Sequence, residues 1–130
     1  MKRILVADVP QMDERYSAAF AGCEVVFART MAEARQALSA GSCAVVVTGV
    51  YFDDSRMFDL VRALRSHDVH AKLPIVCVRG RQGFATVSTR TLEMTVRALA
   101  ANDFLDLVQF ADDATGNAAL RAAVQRFLKD

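Results

Sequence analysis

The chain is poor in cysteine, histidine and net charge, and it contains no long apolar run. Only three of its 130 residues are cysteine and two are histidine. Cys23, Cys43 and Cys77 are odd in number, widely spaced and without a Cys-x-x-Cys pair, which argues against a disulfide framework and against a zinc site. Each lies in or beside an apolar run, where cysteine packs as a small hydrophobe. With His67 and His70 as the only imidazoles, neither a metal nor a cofactor is expected. Sixteen Lys plus Arg against fifteen Asp plus Glu leave a net charge of +1, so no overall field draws the chain to nucleic acid or to an anionic membrane. No stretch approaches the roughly 20 apolar residues of a spanning helix. The start, Met1-Lys2-Arg3-Ile4-Leu5-Val6-Ala7-Asp8, is too short in apolar residues for a signal peptide and reads as a strand. The expectation is one soluble, cytoplasmic domain over residues 1–130.

What is present is core material: 53% of the residues are hydrophobic against 24% charged, which excludes a disordered chain. Short apolar runs alternate with helix-period segments. Ile4–Ala7, Cys23–Phe27, Ala44–Thr48, Leu73–Val78 and Asp103–Phe110 read as strands, the first too short for a helix and apolar enough to be buried on both faces. Between and after them, helices are expected after Pro10 (Tyr16, Ala19 and Phe20 inward, ending at Gly22) and from Met31 to Ala40. The latter is capped by Thr30 and stopped by Gly41. A third helix follows the polar stretch Tyr51–Ser55, with Phe58, Leu60, Val61 and Leu64 on one face. A fourth is capped by Ser88 or Thr89 and carries Leu92, Val96 and Leu99. A fifth opens at Thr115 or Asn117, with Leu120, Val124, Phe127 and Leu128 inward. Five βα units in succession require a parallel sheet covered on both faces, an α/β sandwich of flavodoxin-like type with strand order 2-1-3-4-5. Ligands on such sheets bind at the carboxyl ends of the strands, here Asp8-Val9, Thr48-Gly49, Arg79-Gly80 and Leu107-Val108.

Four stretches carry a family resemblance: Ile4-Leu5-Val6-Ala7-Asp8, Phe58-Asp59-Leu60-Val61-Arg62-Ala63-Leu64-Arg65, Leu73-Pro74-Ile75-Val76-Cys77-Val78 and Ala101-Asn102-Asp103-Phe104-Leu105. In order and at near-family spacing, they resemble the CheY-like receiver domain of bacterial two-component response regulators over nearly the whole chain. The resemblance implies a pair of acidic residues holding Mg²⁺ after the first strand and an Asp phosphoacceptor ending the third. It also implies a Thr or Ser ending the fourth strand and a Lys in the fifth. The metal and the Lys neutralise phosphoryl oxygens while the carboxylate attacks. This sequence keeps Asp8 but has Val9 at the second acidic position, Thr48 or Gly49 at the acceptor, Arg79 at the hydroxyl position and Leu107 at the lysine. Phe104 retains the aromatic three residues before it. The expectation is a degenerate receiver, a pseudo-receiver; Arg79 either pairs with Asp8, its guanidinium replacing both metal and phosphoryl charge, or extends from the strand end into solvent.

Asp53 and Asp54 are the nearest spare carboxylates and so candidates for a displaced acceptor, although adjacent acidic residues in a loop commonly just form solvated turns. Arg79, Gly80, Arg81 and Gly83 open a long loop that could nest an anion, the basis of an alternative reading as a small-molecule or anion-binding module. No Ser-His-Asp, Cys-His or paired-carboxylate arrangement stands at the strand ends, so no enzyme is expected. Within these 130 residues no DNA-binding or catalytic output domain is expected. The resemblance implies a phosphorelay-type signalling module that meets a protein partner, or a second copy of itself, through helix 4, strand 5 and helix 5. There Met94, Ala98 and Ala101 form a second apolar stripe.

Overall fold

The computed structural model describes residues 2–80 and 88–128. Five parallel strands form one sheet in the order β2-β1-β3-β4-β5: β1 Arg3–Ala7, β2 Glu24–Ala28, β3 Val45–Gly49, β4 Ile75–Arg79 and β5 Asp103–Asp106. The helices are α1 Asp13–Ala19, α2 Met31–Ala40, α3 Met57–Arg65, α4 Thr89–Ala98 and α5 Asp113–Gln125. Alternation along each strand divides the core in two. Leu5, Ala7, Val46, Ile75 and Cys77 face α2, α3 and α4, packing on Leu38, Leu60, Val61, Leu64, Leu92 and Val96. Ile4, Val6, Val45, Val47, Val76 and Val78 face α1 and α5, packing on Tyr16, Phe20, Leu120 and Val124. Each fully buried Val or Ile contributes about 1.5–3 kcal/mol relative to exposure, which is why β1, β3 and β4 read as unbroken apolar runs.

The helix starts follow local hydrogen bonding. Thr30 accepts from the Glu33 N–H and the Glu33 carboxylate accepts from the Arg29 N–H, a reciprocal cap that fixes the start of α2. Ser88, not Thr89, caps α4.

Of the expected boundaries that move, two are set by a single side chain. The fifth strand stops at Asp106 instead of running to Phe110, because the Asp106 carboxylate accepts from the Val108 N–H and turns the chain into a 3₁₀ turn over Leu107–Gln109. The last helix begins at Asp113, ahead of Thr115 and Asn117, because Asp112 accepts from both the N–H and the hydroxyl of Thr115. The polar stretch before α3 becomes a tight turn over Phe52–Ser55, in which Asp53, Asp54 and Ser55 have φ of 44°, 55° and 65°. This left-handed backbone is tolerated more readily by Asp than by most side chains. Buried Phe52 anchors the turn to the core.

Candidate functional site

The sheet brings the ends of β1, β3 and β4 together, and their side chains fill the space between them. Asp8 follows β1 and is only 3% exposed. Its carboxylate accepts from the Tyr16 hydroxyl at 2.5 Å and from the Val9 N–H at 2.7 Å. Burial raises the Asp8 carboxyl above its ordinary range, and the two hydrogen bonds together with Arg29 oppose the rise only in part. Tyr16 is fully buried, and burial followed by the neighbouring Asp8 carboxylate pushes its phenol well above the usual tyrosine value.

Gly49 ends β3 on the same side of the sheet as Asp8. A Cβ built there would meet Oδ1, Oδ2 and Cγ of Asp8, all closer than the 3.0 Å that real Cβ atoms keep. The Asp8 carboxylate therefore lies where a side chain at position 49 would begin. Thr48 points to the opposite face. It pairs in register with Ala7 and Cys77 and is fully buried, with a hydroxyl that has no partner among the described residues. Strand alternation thus places Gly49, and not Thr48, on the face that carries Asp8.

The neighbouring positions are equally occupied. A Cβ on Gly80 would collide with the Met12 thioether, so Met12, 3% exposed, covers the end of β4. Leu107 lies in the α1 and α5 core with Tyr16 and Leu120, at the lysine position but in the 3₁₀ turn and not in a strand. Phe104 packs on the other face with Cys77, Leu92 and Val96.

Arg79 neither pairs with Asp8 nor extends freely into solvent. Arg79 instead donates to both oxygens of Asp106 at 3.1 and 3.2 Å, its register partner across β4 and β5. Arg29, just past β2, is the cation whose charge acts on the Asp8 carboxyl. It clasps both carboxylate oxygens of Asp13 and donates to the Asp8 carbonyl at 3.1 Å. Tyr16, Asp106 and Met12 were not singled out as site residues. The Arg79–Asp106 pair follows from register once β5 is known to stop at Asp106, whereas Tyr16 reads in sequence only as one more residue of an inward helix face.

Of the remaining candidates, Asp53 is committed to α2, where its carboxylate accepts from the Met31 N–H at 2.9 Å. Asp54 is exposed. Gly80 is covered by Met12, and Arg81 and Gly83 lie outside the described residues.

The residues present do not make the Mg²⁺ site that the resemblance implies. A hard dication takes several oxygen ligands, yet Val9 offers no side-chain oxygen, Gly49 offers none, and the Asp8 carboxylate already accepts from Tyr16 and Val9. Among the described residues no group of three or more acidic, His or Cys side chains is placed to hold an ion.

No protein-family model matches the sequence, and no curated protein matches it. Solved structures do match. The receiver domain of a signal transduction histidine kinase from Syntrophus aciditrophicus superposes with a TM-score of 0.74 at 18% identity, over 98% of this chain and 90% of that one. A phosphorylated cyanobacterial phytochrome response regulator gives 0.79 at 14% identity, over 98% and 94%. A chemotaxis response regulator of Vibrio cholerae gives 0.71 at 21% identity, over 98% of each chain. With the strand order and the site at the strand ends, these matches show that the chain has the fold of response regulator receiver domains.

Proposed function

We propose that this domain is a pseudo-receiver: a signal-transduction module, in a two-component or phosphorelay-type system, that works through protein contacts without taking a phosphoryl group and without catalysing a reaction of its own. One observation carries the reading. With Gly49 taken as the acceptor position, the space above it is filled by the Asp8 carboxylate, tied down by Tyr16 and Val9. Position 49 itself offers no nucleophile and no room for one; the carboxylate that stands there, Asp8, is engaged by Tyr16 and Val9, and Met12 covers the end of β4. The partner surface in this reading is the face of α4, β5 and α5, where Met94 stands 61% exposed. It lies beside a charge ladder running from Glu93 through Arg97 and Asp103 to Arg126.

The test uses the phosphoryl mimic beryllofluoride with Mg²⁺, added to ¹⁵N-labelled protein. The reading expects the amide signals of Asp8, Gly49, Arg79 and Leu107 to stay in place. Saturable shifts at these four positions would overturn it.

A further inference from the structure

Between α2 and α3, away from the strand ends, the surface opens into a cavity of about 210 Å³. Its floor is apolar, formed by Leu38, Leu60 and Leu64, and its rim carries Arg35, His67 and His70. No carboxylate lines it. Elsewhere Arg29, Arg62, Arg79 and Arg97 each hold a carboxylate, whereas the exposed Arg35 guanidinium has no hydrogen-bond or ion-pair partner among the described residues. The two imidazoles stack with centroids 4.6 Å apart. His67 Nδ1 accepts from the Val69 N–H, so the neutral ring carries its proton on Nε2 and keeps a donor.

An apolar floor under a rim of donors and one unneutralised cation matches a particular chemistry. The floor favours a hydrocarbon body. The Arg35 fork suits a carboxylate, which it can hold through two parallel N–H donors. Drug-sized ligands occupy about 300–1,000 Å³; this cavity is smaller, which limits the body to about one ring. We propose that the cleft between α2 and α3 binds a small organic anion, one ring bearing a carboxylate, with the ring on Leu38, Leu60 and Leu64 and the carboxylate at Arg35 beside the His67–His70 stack. The site is independent of the pocket at the strand ends, and it stands whether or not the domain accepts phosphate.

The probes are phenylacetate and its uncharged counterpart phenylacetamide, each titrated into ¹⁵N-labelled protein. Phenylacetate should shift the amides of Leu38, Leu60 and Leu64 saturably and bind about tenfold tighter than phenylacetamide, the factor expected of one charge-assisted contact. Arg35→Gln, an exposed substitution that leaves the core intact, should erase that tenfold preference while phenylacetamide binds as before. Ala63→Phe, which fills the cleft from α3, should abolish binding of both. Equal affinity for the acid and the amide, an undiminished preference in Arg35→Gln, or shifts confined to residues outside the cleft would each overturn the proposal.

Discussion

Adding a single methyl group at position 49 perturbs the strand-end site most sharply. Gly49 has the ordinary backbone of a strand, so Gly49→Ala introduces no dihedral strain. Its cost is contact. The new Cβ would overlap the Asp8 carboxylate, which must swing away and surrender the bonds from Tyr16 and Val9. Hydrogen bonds to charged groups contribute about 1.5–3 kcal/mol each. Taking the lower figure for both, the substitution should cost about 3 kcal/mol, a large share of the roughly 5–15 kcal/mol of a typical domain. Asp8→Ala removes the same two bonds but also relieves the burial of a carboxylate, so its cost should be about 1–3 kcal/mol, chiefly for the orphaned Tyr16 hydroxyl. The double variant has nothing left to collide and should match Asp8→Ala alone to within about 1 kcal/mol. Urea denaturation of the four proteins completes the cycle. The coupling expected is about 3 kcal/mol, against the ~0.3–0.5 kcal/mol within which independent sites add. Equal cost of Gly49→Ala in both backgrounds would refute the claim that Asp8 fills the acceptor position.

Three further outcomes follow from the same geometry. Because the folded-state pKa of Asp8 is raised above 3.8, the native protein binds more protons than the unfolded chain between these two values. The contribution of Asp8 to stability is therefore greatest below pH 3.8 and declines as pH rises through the raised value. Subtracting the pH–stability profile of Asp8→Asn from that of the wild type should isolate this decline, and a difference that rises with pH would contradict it. Thr48→Val replaces a buried hydroxyl without a partner among the described residues by a methyl of similar shape and should stabilise the domain by about 1 kcal/mol in the same denaturation assay; a net loss of stability would show that the hydroxyl is satisfied. Arg65 donates to the carbonyls of Ala71, Leu73 and Ala100 and to Asn102 Oδ1, joining the end of α3 to the approaches of β4 and β5. Arg65→Ala should cost about 2–4 kcal/mol and lower Tm by roughly 5–15 °C in a thermal melt, and Arg65→Lys should restore only part of the loss because an ammonium lacks the planar fork.

The architecture was legible because its determinants are short-range or periodic. Unbroken runs such as Ile4–Ala7 and Val45–Val47 specify strands buried on both faces, and Thr30 and Ser88 announce the helices they cap. The boundaries that moved depend on one side chain choosing between two backbone partners. Nothing in Asp106 or Asp112 as letters reveals which N–H each will accept from. The site was legible as a set of positions and as a deficit, since a missing carboxylate at Val9 and at Gly49 needs no structure to be seen. Its internal bonding was not. Charge and the convergence of the strand ends leave Arg79 free to meet Asp8 or solvent, whereas parallel register sets it directly against Asp106. The Asp8 carboxylate turns towards Tyr16 because α1 places the phenol beneath it, an arrangement set by how the helix packs on the sheet.

Intact-mass spectrometry after incubation with acetyl phosphate and Mg²⁺ shows whether this domain takes a phosphoryl group. As a pseudo-receiver, the wild-type protein should keep an unchanged mass, with Asp8 held by Tyr16 and Val9 and Asp53 held by the Met31 N–H. A stoichiometric gain of one phosphate, labile to hydroxylamine and mapping to Asp8, Asp53 or Asp54, would contradict that reading.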